Sequence, residues 1–328
     1  MKINWGILGA ATIAVEQVIP AMVQSAYCQV LGIASRNLKK AQSVARNFDI
    51  PRSYGTYEAL LNDAQIQAVY IPLPNHLHVA WAIKALQAGK HVLVEKPVAL
   101  NAKEARKLYE EAKKHPNLLL MEAFMYKFHP QWIKVKELIQ KGEIGALKII
   151  ESSFSFFESD PISIVNQKAF GGGSLMDIGC YPISISRFLF ESEPKRVFAT
   201  QENHPEFQVD ISTSGILEFE AGTSVFFSSI QLYENQKVRL FGTEGIIELE
   251  LPFNPPIDSP SKIWVTKQNN RTEIKLDPSN QYTLQADFFS NAILKNAQLP
   301  MLFEDAVKNM VVIEAIKMSA DLGEAIRL

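Results

Sequence analysis

The stretch Lys90-His91-Val92-Leu93-Val94-Glu95-Lys96-Pro97-Val98 limits what this chain can fold into more than any other. Val92, Leu93 and Val94 are a short apolar run between Gly89 and Pro97, which reads as a strand of a parallel sheet buried on both faces. Such a strand should not end by carrying Glu95 and Lys96 into the interior without a reason. In open parallel α/β sheets the carboxyl ends of the strands open onto the ligand crevice. A lysine there, flanked by a carboxylate and fixed by a proline, is a group positioned for chemistry; a surface ion pair is the other reading of the stretch alone.

The surrounding chain supplies the sheet. Residues 3–9 read as a first strand running into a helix to about Ser25, and Val30–Ala34 as a second strand. Asn37 caps a helix with apolar positions at Leu38, Ala41, Val44, Ala45 and Phe48, and Thr56 opens a short helix. Ala68–Leu73 is a further strand, Asn75 caps a helix that stops at Gly89, and Asn101 and Glu104 have capping-box spacing. Leu118–Met121 closes the series. Strands alternating with helical segments of this length predict a Rossmann-type doubly wound parallel sheet over residues 1–124.

From residue 125 to 328 the pattern changes. A helix near Gln131–Lys141 precedes a long strand over Ala146–Phe157, and Gly171-Gly172-Gly173 leads into a helix over Ser174–Phe190. Strand-like segments follow near 195–200, 209–219, 223–232, 236–242 and 245–251, with short turns at Ala221-Gly222 and Gly242–Gly245. Short turns predict antiparallel pairing, so the second domain is expected to be α+β, with an open-faced, mostly antiparallel sheet. Phe154, Phe156, Phe226 and Ile230 are candidates for its exposed apolar face, and a patch of that kind marks a partner interface.

Composition excludes several classes. Lys+Arg 33 against Asp+Glu 35 gives no general electrostatic reason to bind nucleic acid or an anionic membrane. No apolar run approaches the roughly 20 residues of a membrane span. Cys28 and Cys180 are too few and too far apart for a disulfide framework or metal knuckle, which suits a reducing compartment. The chain opens directly on a strand pattern with no basic leader, so a cytoplasmic protein is expected.

Gly9-Ala10-Ala11-Thr12-Ile13-Ala14 follows a strand and opens a helix, a degenerate G-x-G-x-x-G/A with Ala11 at the second glycine. Gly9, Ala11, Thr12 and Ile13 are therefore candidates to hold a phosphate on helix-terminal N–H groups. The second strand ends at Ser35-Arg36, where an NAD enzyme tends to place an acid for the ribose hydroxyl. Arginine grips a 2′-phosphate instead, which favours NADP with NAD possible. Pro72–His78 holds His76 and His78, two residues apart and without a cysteine or carboxylate cluster, so no metal is expected. Leu73, Asn75 and His78 are better read as lining the cofactor crevice, with Glu95 and Lys96.

Asp177 and Tyr181 are i and i+4 on an otherwise apolar helix, and Gly179 leaves that face open. If that helix faces the Lys96 strand, the ammonium lowers the phenol's pKa and makes Tyr181 a usable general base.

These motifs together resemble the Gfo/Idh/MocA family, named for glucose–fructose oxidoreductase and inositol dehydrogenase. The carriers are the N-terminal Gly-rich turn, Glu95-Lys96-Pro97, and Gly171-Gly172-Gly173 followed by Asp177 and Tyr181. Trp5–Ala10, Pro74–His78, Met121–Tyr126 and Phe128-His129-Pro130 are most similar to the branch of D-xylose 1-dehydrogenases and dimeric dihydrodiol dehydrogenases. The resemblance implies hydride transfer between a nicotinamide cofactor and a sugar, polyol or dihydrodiol. It implies Lys96, Tyr181 and Asp177 as catalytic, and Tyr126 and Lys127, with Asp177 and Tyr181, as substrate-binding. It also implies a cis Lys96–Pro97 peptide and a homodimer or homotetramer formed on the open sheet face. Ala11, Lys127 and the arginine-free Ser163-Ile164-Val165 depart from the family pattern. The other readings are a cofactor-bound sensor without turnover and a redox-assisted glycosidase.

Overall fold

Trp5, Ile7 and Leu8 are fully buried in β1 (Ile3–Leu8), the centre of a parallel sheet. With β2 (Cys28–Ala34), β3 (Arg52–Tyr54), β4 (Ala68–Ile71), β5 (His91–Val94) and β6 (Leu120–Glu122) the strand order is β3-β2-β1-β4-β5-β6. This is the doubly wound dinucleotide order, with its reversal point between β1 and β4. The connecting helices are α1 (Ile19–Gln24), α2 (Leu38–Asn47), α3 (Tyr57–Leu61), α4 (Asn75–Gln87) and α5 (Ala102–Lys113). Asn37, Thr56 and Asn101 cap their helices as the sequence predicts, each side-chain oxygen accepting from a backbone N–H three residues on. Asn75 does not: it is the first residue of α4, and Pro74 takes the cap position without a side-chain bond.

In this computed structural model, which describes residues 1–297, 299 and 303–328, the chain forms two units. The first contains Met1–Met125 and Asn280–Val307, the second Tyr126–Ser279 and Lys308–Leu328. The second unit is built on α6 (Pro130–Gln140), β7 (Leu147–Phe157), α7 (Cys180–Phe190), β8 (Arg196–Asn203), β9 (Asp210–Glu218), β10 (Thr223–Ser229), β11 (Gln231–Gly242), β12 (Gly245–Leu249), β13 (Ser261–Lys267) and β14 (Asn270–Leu276), with the short β15 (Ile326–Arg327). Among the described residues its sheet has nine strands, in the order β14-β13-β12-β11-β7-β10-β9-β8-β15. Among the described residues every strand pairing in it is antiparallel except one, since β7 and β10 run parallel, with Phe154 opposite Ser228. Turn length predicts pairing only between sequence neighbours, and β10 reaches β7 after a long excursion through α7, β8 and β9.

A sequence boundary at 124/125 has no place for α8 (Gln281–Lys295), which returns to the first unit. Its packing explains why. Trp5 Nε1 donates to Ser290 Oγ at 3.0 Å, and the Trp5 ring lies 5.6 Å from that of Phe289. The Ser25 hydroxyl donates to Asp287, and Thr283 Oγ1 donates to the Ala21 carbonyl at 3.1 Å.

Alternation along the second sheet separates its two faces, and the face predicted for Phe154, Phe226 and Ile230 is the wrong one. All three are buried, and Phe156 is half-buried. On the face opposite to that of Phe154, Ile149, Phe198, Ile216 and Phe227 are exposed. Side-chain direction has period two, so reading a strand one residue out of phase inverts its faces. Phe198 is opposite Ile216, which is opposite Val225, and the row continues through Glu151 and Arg239 to Glu248 and Trp264.

Candidate active site

The first turn leaves β1 at Gly9, whose φ of +130° is open only to glycine without strain. A side chain there would also crowd Leu73 Cδ2 at 3.0 Å, so the turn lies close against the strand end of β4. Gly9 N–H donates to the Ala34 carbonyl at 3.0 Å. Helical residues begin at Thr12, with Ala11 and Ile13 half-buried and Thr12 exposed. The helix is not regular: Ala14–Val18 is a π turn, closed by the Ile19 N–H donating to the Ala14 carbonyl. Pro20 follows. A proline lacks the N–H for the ordinary bond and crowds the carbonyl four residues back, which suits a widened turn.

At the end of β2, Ser35 is buried and its Oγ accepts from Asn37 N–H at 3.2 Å. Arg36 is exposed, and its guanidinium hydrogen-bonds the Tyr57 phenol. Tyr57 sits edge-on to Trp81 at 4.8 Å. Burial pushes the Tyr57 pKa up, and Arg36 pulls against it. These residues present a cation and a hydroxyl, with no carboxylate at the strand end.

His78, expected to line the crevice, is placed inside the first unit. It is fully buried, with Nδ1 2.8 Å from the Pro97 carbonyl oxygen and Nε2 2.5 Å from that of Leu73. Burial, the largest influence, lowers its pKa to about 4, with Lys96 acting in the same direction; the two carbonyls oppose them. His78 lies between the carbonyls of the loops after β4 and β5, and as a neutral ring it has one N–H to donate to one of them. Leu73 is buried, and Asn75 is half-buried at the start of α4.

The loop after β5 carries the cis Lys96–Pro97 peptide. Glu95 Oε1 accepts from the Tyr70 hydroxyl at 2.6 Å, and Oε2 from the backbone N–H of Lys96 at 3.2 Å. Val98 N–H donates to Glu122 Oε1 at 2.8 Å. Lys96 is half-buried, and its charge and that of Glu95 both act on Tyr282 of α8. Burial, with Glu95 beside it, pushes the Tyr282 phenol well up. Tyr70, Glu122 and Tyr282 escape a sequence reading: two lie within apolar strands, and the third is far along the chain.

In the second unit, Leu175–Gly179 is a second π turn leading straight into α7. Here too a proline, Pro182, follows closely, and that repeated pairing is the one sequence signal for the two irregular turns. Asp177 is half-buried and Tyr181 is 4% exposed. The Tyr181 ring lies 5.1 Å from Phe253, 5.6 Å from Phe154 and 5.9 Å from Tyr126. Gly179 does not leave a face open for ligand, since a Cβ there would meet Ser228 Oγ of β10 at 2.8 Å. Tyr126, expected to bind substrate, is fully buried with its hydroxyl 2.8 Å from Ser184 Oγ. Its ring is core, edge-on to Trp132 and Phe253. Lys127 is half-buried on the 3-10 turn Met125–Phe128.

Among the described residues no group of three or more His, Cys, Asp or Glu side chains could hold a metal, and no helix is long and apolar enough to cross a membrane. A family model for oxidoreductases with an NAD-binding Rossmann fold matches residues 3–123, and the model for the Gfo/Idh/MocA C-terminal domain matches residues 132–248. The chain belongs to the Gfo/Idh/MocA family. It is an NAD(P)-dependent oxidoreductase of that family. This family member is 37% identical over 326 residues to the NADP⁺-dependent D-xylose 1-dehydrogenase 2 of Haloferax volcanii, covering 99% of each chain. It is 34% identical to the trans-1,2-dihydrobenzene-1,2-diol dehydrogenase of Xenopus tropicalis, over 84% of this chain and 82% of that one. Its structure matches that of KijD10, a 3-ketoreductase from Actinomadura kijaniata in complex with NADP and TDP-benzene, with a TM-score of 0.92 and 27% identity over 97% and 98% of the two chains.

Proposed function

We propose that the chain is an NADP-preferring dehydrogenase or reductase acting on a CH–OH group or the matching carbonyl of a sugar, polyol or dihydrodiol. The observation that carries this reading is the end of β5. There a lysine follows a glutamate whose two oxygens are both engaged by Tyr70 and the chain itself. Lys96 is thereby held on a fixed backbone, as a group acting on developing charge must be. The names of the xylose and dihydrodiol relatives support the substrate class.

The residues at β1 and β2 fit a nicotinamide dinucleotide. Gly9 permits the tight turn, Thr12 opens the helix, and Ser35 with Arg36 suits a 2′-phosphate better than a bare ribose. When bound, NADP supplies the hydride acceptor or donor. Tyr181 takes the proton of the substrate hydroxyl in oxidation, and Lys96 supplies positive charge to the oxygen left behind. Asp177 and Lys127 bind substrate. Residues 1–124 are assigned to the cofactor and 125–328 to substrate and oligomerisation, with α8 serving the first of these. Glu95 and His78 act as positioning residues through the loop that carries Lys96. The test is absorbance at the reduced-nicotinamide band with NADP⁺ and a panel of aldoses, inositols and trans-dihydrodiols. Absence of turnover with either nicotinamide across the panel would remove the enzyme reading.

NADP(H) is expected to bind at least ~10-fold more tightly than NAD(H), about 1.4 kcal/mol. Fluorescence titration of both cofactors checks this, and an Arg36→Ala variant that kept the preference would defeat the role given to Arg36. The exposed face bearing Ile149, Phe198, Ile216 and Phe227 supports a homodimer or homotetramer. Light scattering at micromolar concentration should return at least twice the chain mass of 36.8 kDa; a monomer would refute the assembly.

A further inference from the structure

The most heavily engaged buried carboxylate outside the residues assigned so far is Asp210, the first residue of β9. Its Oδ2 accepts three hydrogen bonds: from Ser174 Oγ at 2.8 Å, Leu175 N–H at 2.7 Å and Thr213 Oγ1 at 2.9 Å. Ser174 and Thr213 are fully buried. Burial pushes the carboxyl pKa up, while these donors and Lys317 pull it down.

The arrangement is unusual for the start of a helix. A serine preceding a helix ordinarily turns its own oxygen onto the free N–H groups of the first turn. Ser174 instead has helical φ and ψ, makes no such cap, and donates its hydroxyl to Asp210. Asp210 therefore caps this helix from another strand. Its second oxygen, Oδ1, faces Gly173, where any Cβ would collide with it and where φ is +110°. Gly173 N–H in turn donates to the Val165 carbonyl at 2.8 Å, and a Cβ on Gly172 would meet the carbonyls of Val165 and Ile164. The glycine run is thus pinned between a carboxylate on one side and a backbone turn on the other. Two residues beyond the Asp210-bound N–H stands Asp177, and four further on is Tyr181. Ser174 Oγ also lies 3.2 Å from Ser228 Oγ, the group that packs against Gly179. Both ends of the π turn are tied to the same polar cluster.

We infer that Asp210 is the positioning residue that fixes the turn carrying Asp177 and Tyr181, through the three donors gathered on its Oδ2. This rests on the reading of Tyr181 as the proton-transfer group. Misplacement of a reacting group by about 1 Å can cost ~10²-fold in rate. Asp210→Ala should therefore lower kcat by roughly 10²-fold. KM should change much less, NADP affinity by fluorescence titration should stay as in the wild type, and near-UV circular dichroism should remain native-like. Asp210→Asn keeps an oxygen for the three donors and should retain at least about a tenth of the turnover. The limb of the pH–rate profile that disappears in Tyr181→Phe should be displaced in Asp210→Ala, which a merely structural anchor would not do.

A folded Asp210→Ala with wild-type kcat and an unmoved limb, beside an impaired Tyr181→Phe, would overturn this inference alone. Wild-type turnover in Tyr181→Phe would instead overturn the reading beneath it. If Asp210→Ala does not fold, Thr213→Val removes a single donor. A drop of about tenfold in kcat at constant NADP affinity sustains the inference, and unchanged kcat ends it.

Discussion

Replacing Tyr181 by phenylalanine is expected to lower turnover by about 10²–10⁴-fold, the usual contribution of a general acid–base group. NADP affinity should hardly move. The substitution is a clean one. The ring is set among Phe154, Phe253 and Tyr126 at centroid distances of 5.1 to 5.9 Å, and phenylalanine keeps those contacts. Only the hydroxyl is lost, so the melting temperature should stay close to that of the wild type. Steady-state kinetics and cofactor titration on the two purified proteins decide the matter. Turnover within a few-fold of wild type would move the proton to Lys96 or to solvent.

Stability should fall steeply as pH drops from about 6.5 towards 4. Burial lowers both His78 and His129 to about 4 from an ordinary 6.5, and both side chains are essentially inaccessible. A pKa depressed in the folded state means that the unfolded chain binds the extra proton first. Stability is therefore complete above about 6.5 and is lost as pH falls through the folded value. The difference of 2.5 pH units corresponds to roughly 3 kcal/mol for each histidine, against a total of about 5–15 kcal/mol for an ordinary domain. Thermal unfolding followed between pH 7.5 and 4 should show the melting temperature falling through this window. In His78→Gln the slope should be shallower by about one proton. A flat profile, or the wild-type slope in the variant, would mean that His78 is not held neutral in the folded protein.

What the sequence could and could not disclose follows from the range of the interactions involved. Asn37, Thr56 and Asn101 were legible because a cap is settled within four residues. The Lys96 strand was legible because an apolar triplet ending in Glu-Lys-Pro has few other uses. The environment of His78 was not: both its partners are backbone carbonyls, which carry no residue identity. The burial of Tyr126 was hidden for a similar reason, since its partner Ser184 is one of many serines with nothing to mark it. Inner and outer faces of the second sheet were exchanged because Phe154 and Phe157, or Phe226 and Phe227, offer an aromatic residue in either phase. Asp210 did leave a trace, an acid set between the apolar Val209 and Ile211 at the start of its strand. A buried acid announces that donors must converge on it, without saying which.

The return of α8 to the first sheet has a consequence for how the polypeptide is made. Trp5 is covered by Phe289 and Ser290, the latter made 285 residues after it. Domains of a nascent chain ordinarily close in order from the amino terminus. Here the first unit can pair its six strands before α8 has been made, and until then one flank of β1 stays uncovered. A piece cut at residue 125 is therefore not a transplantable module. Any fusion or excision that means to borrow the nucleotide-binding half must bring along the segment Asn280–Val307 that seals it.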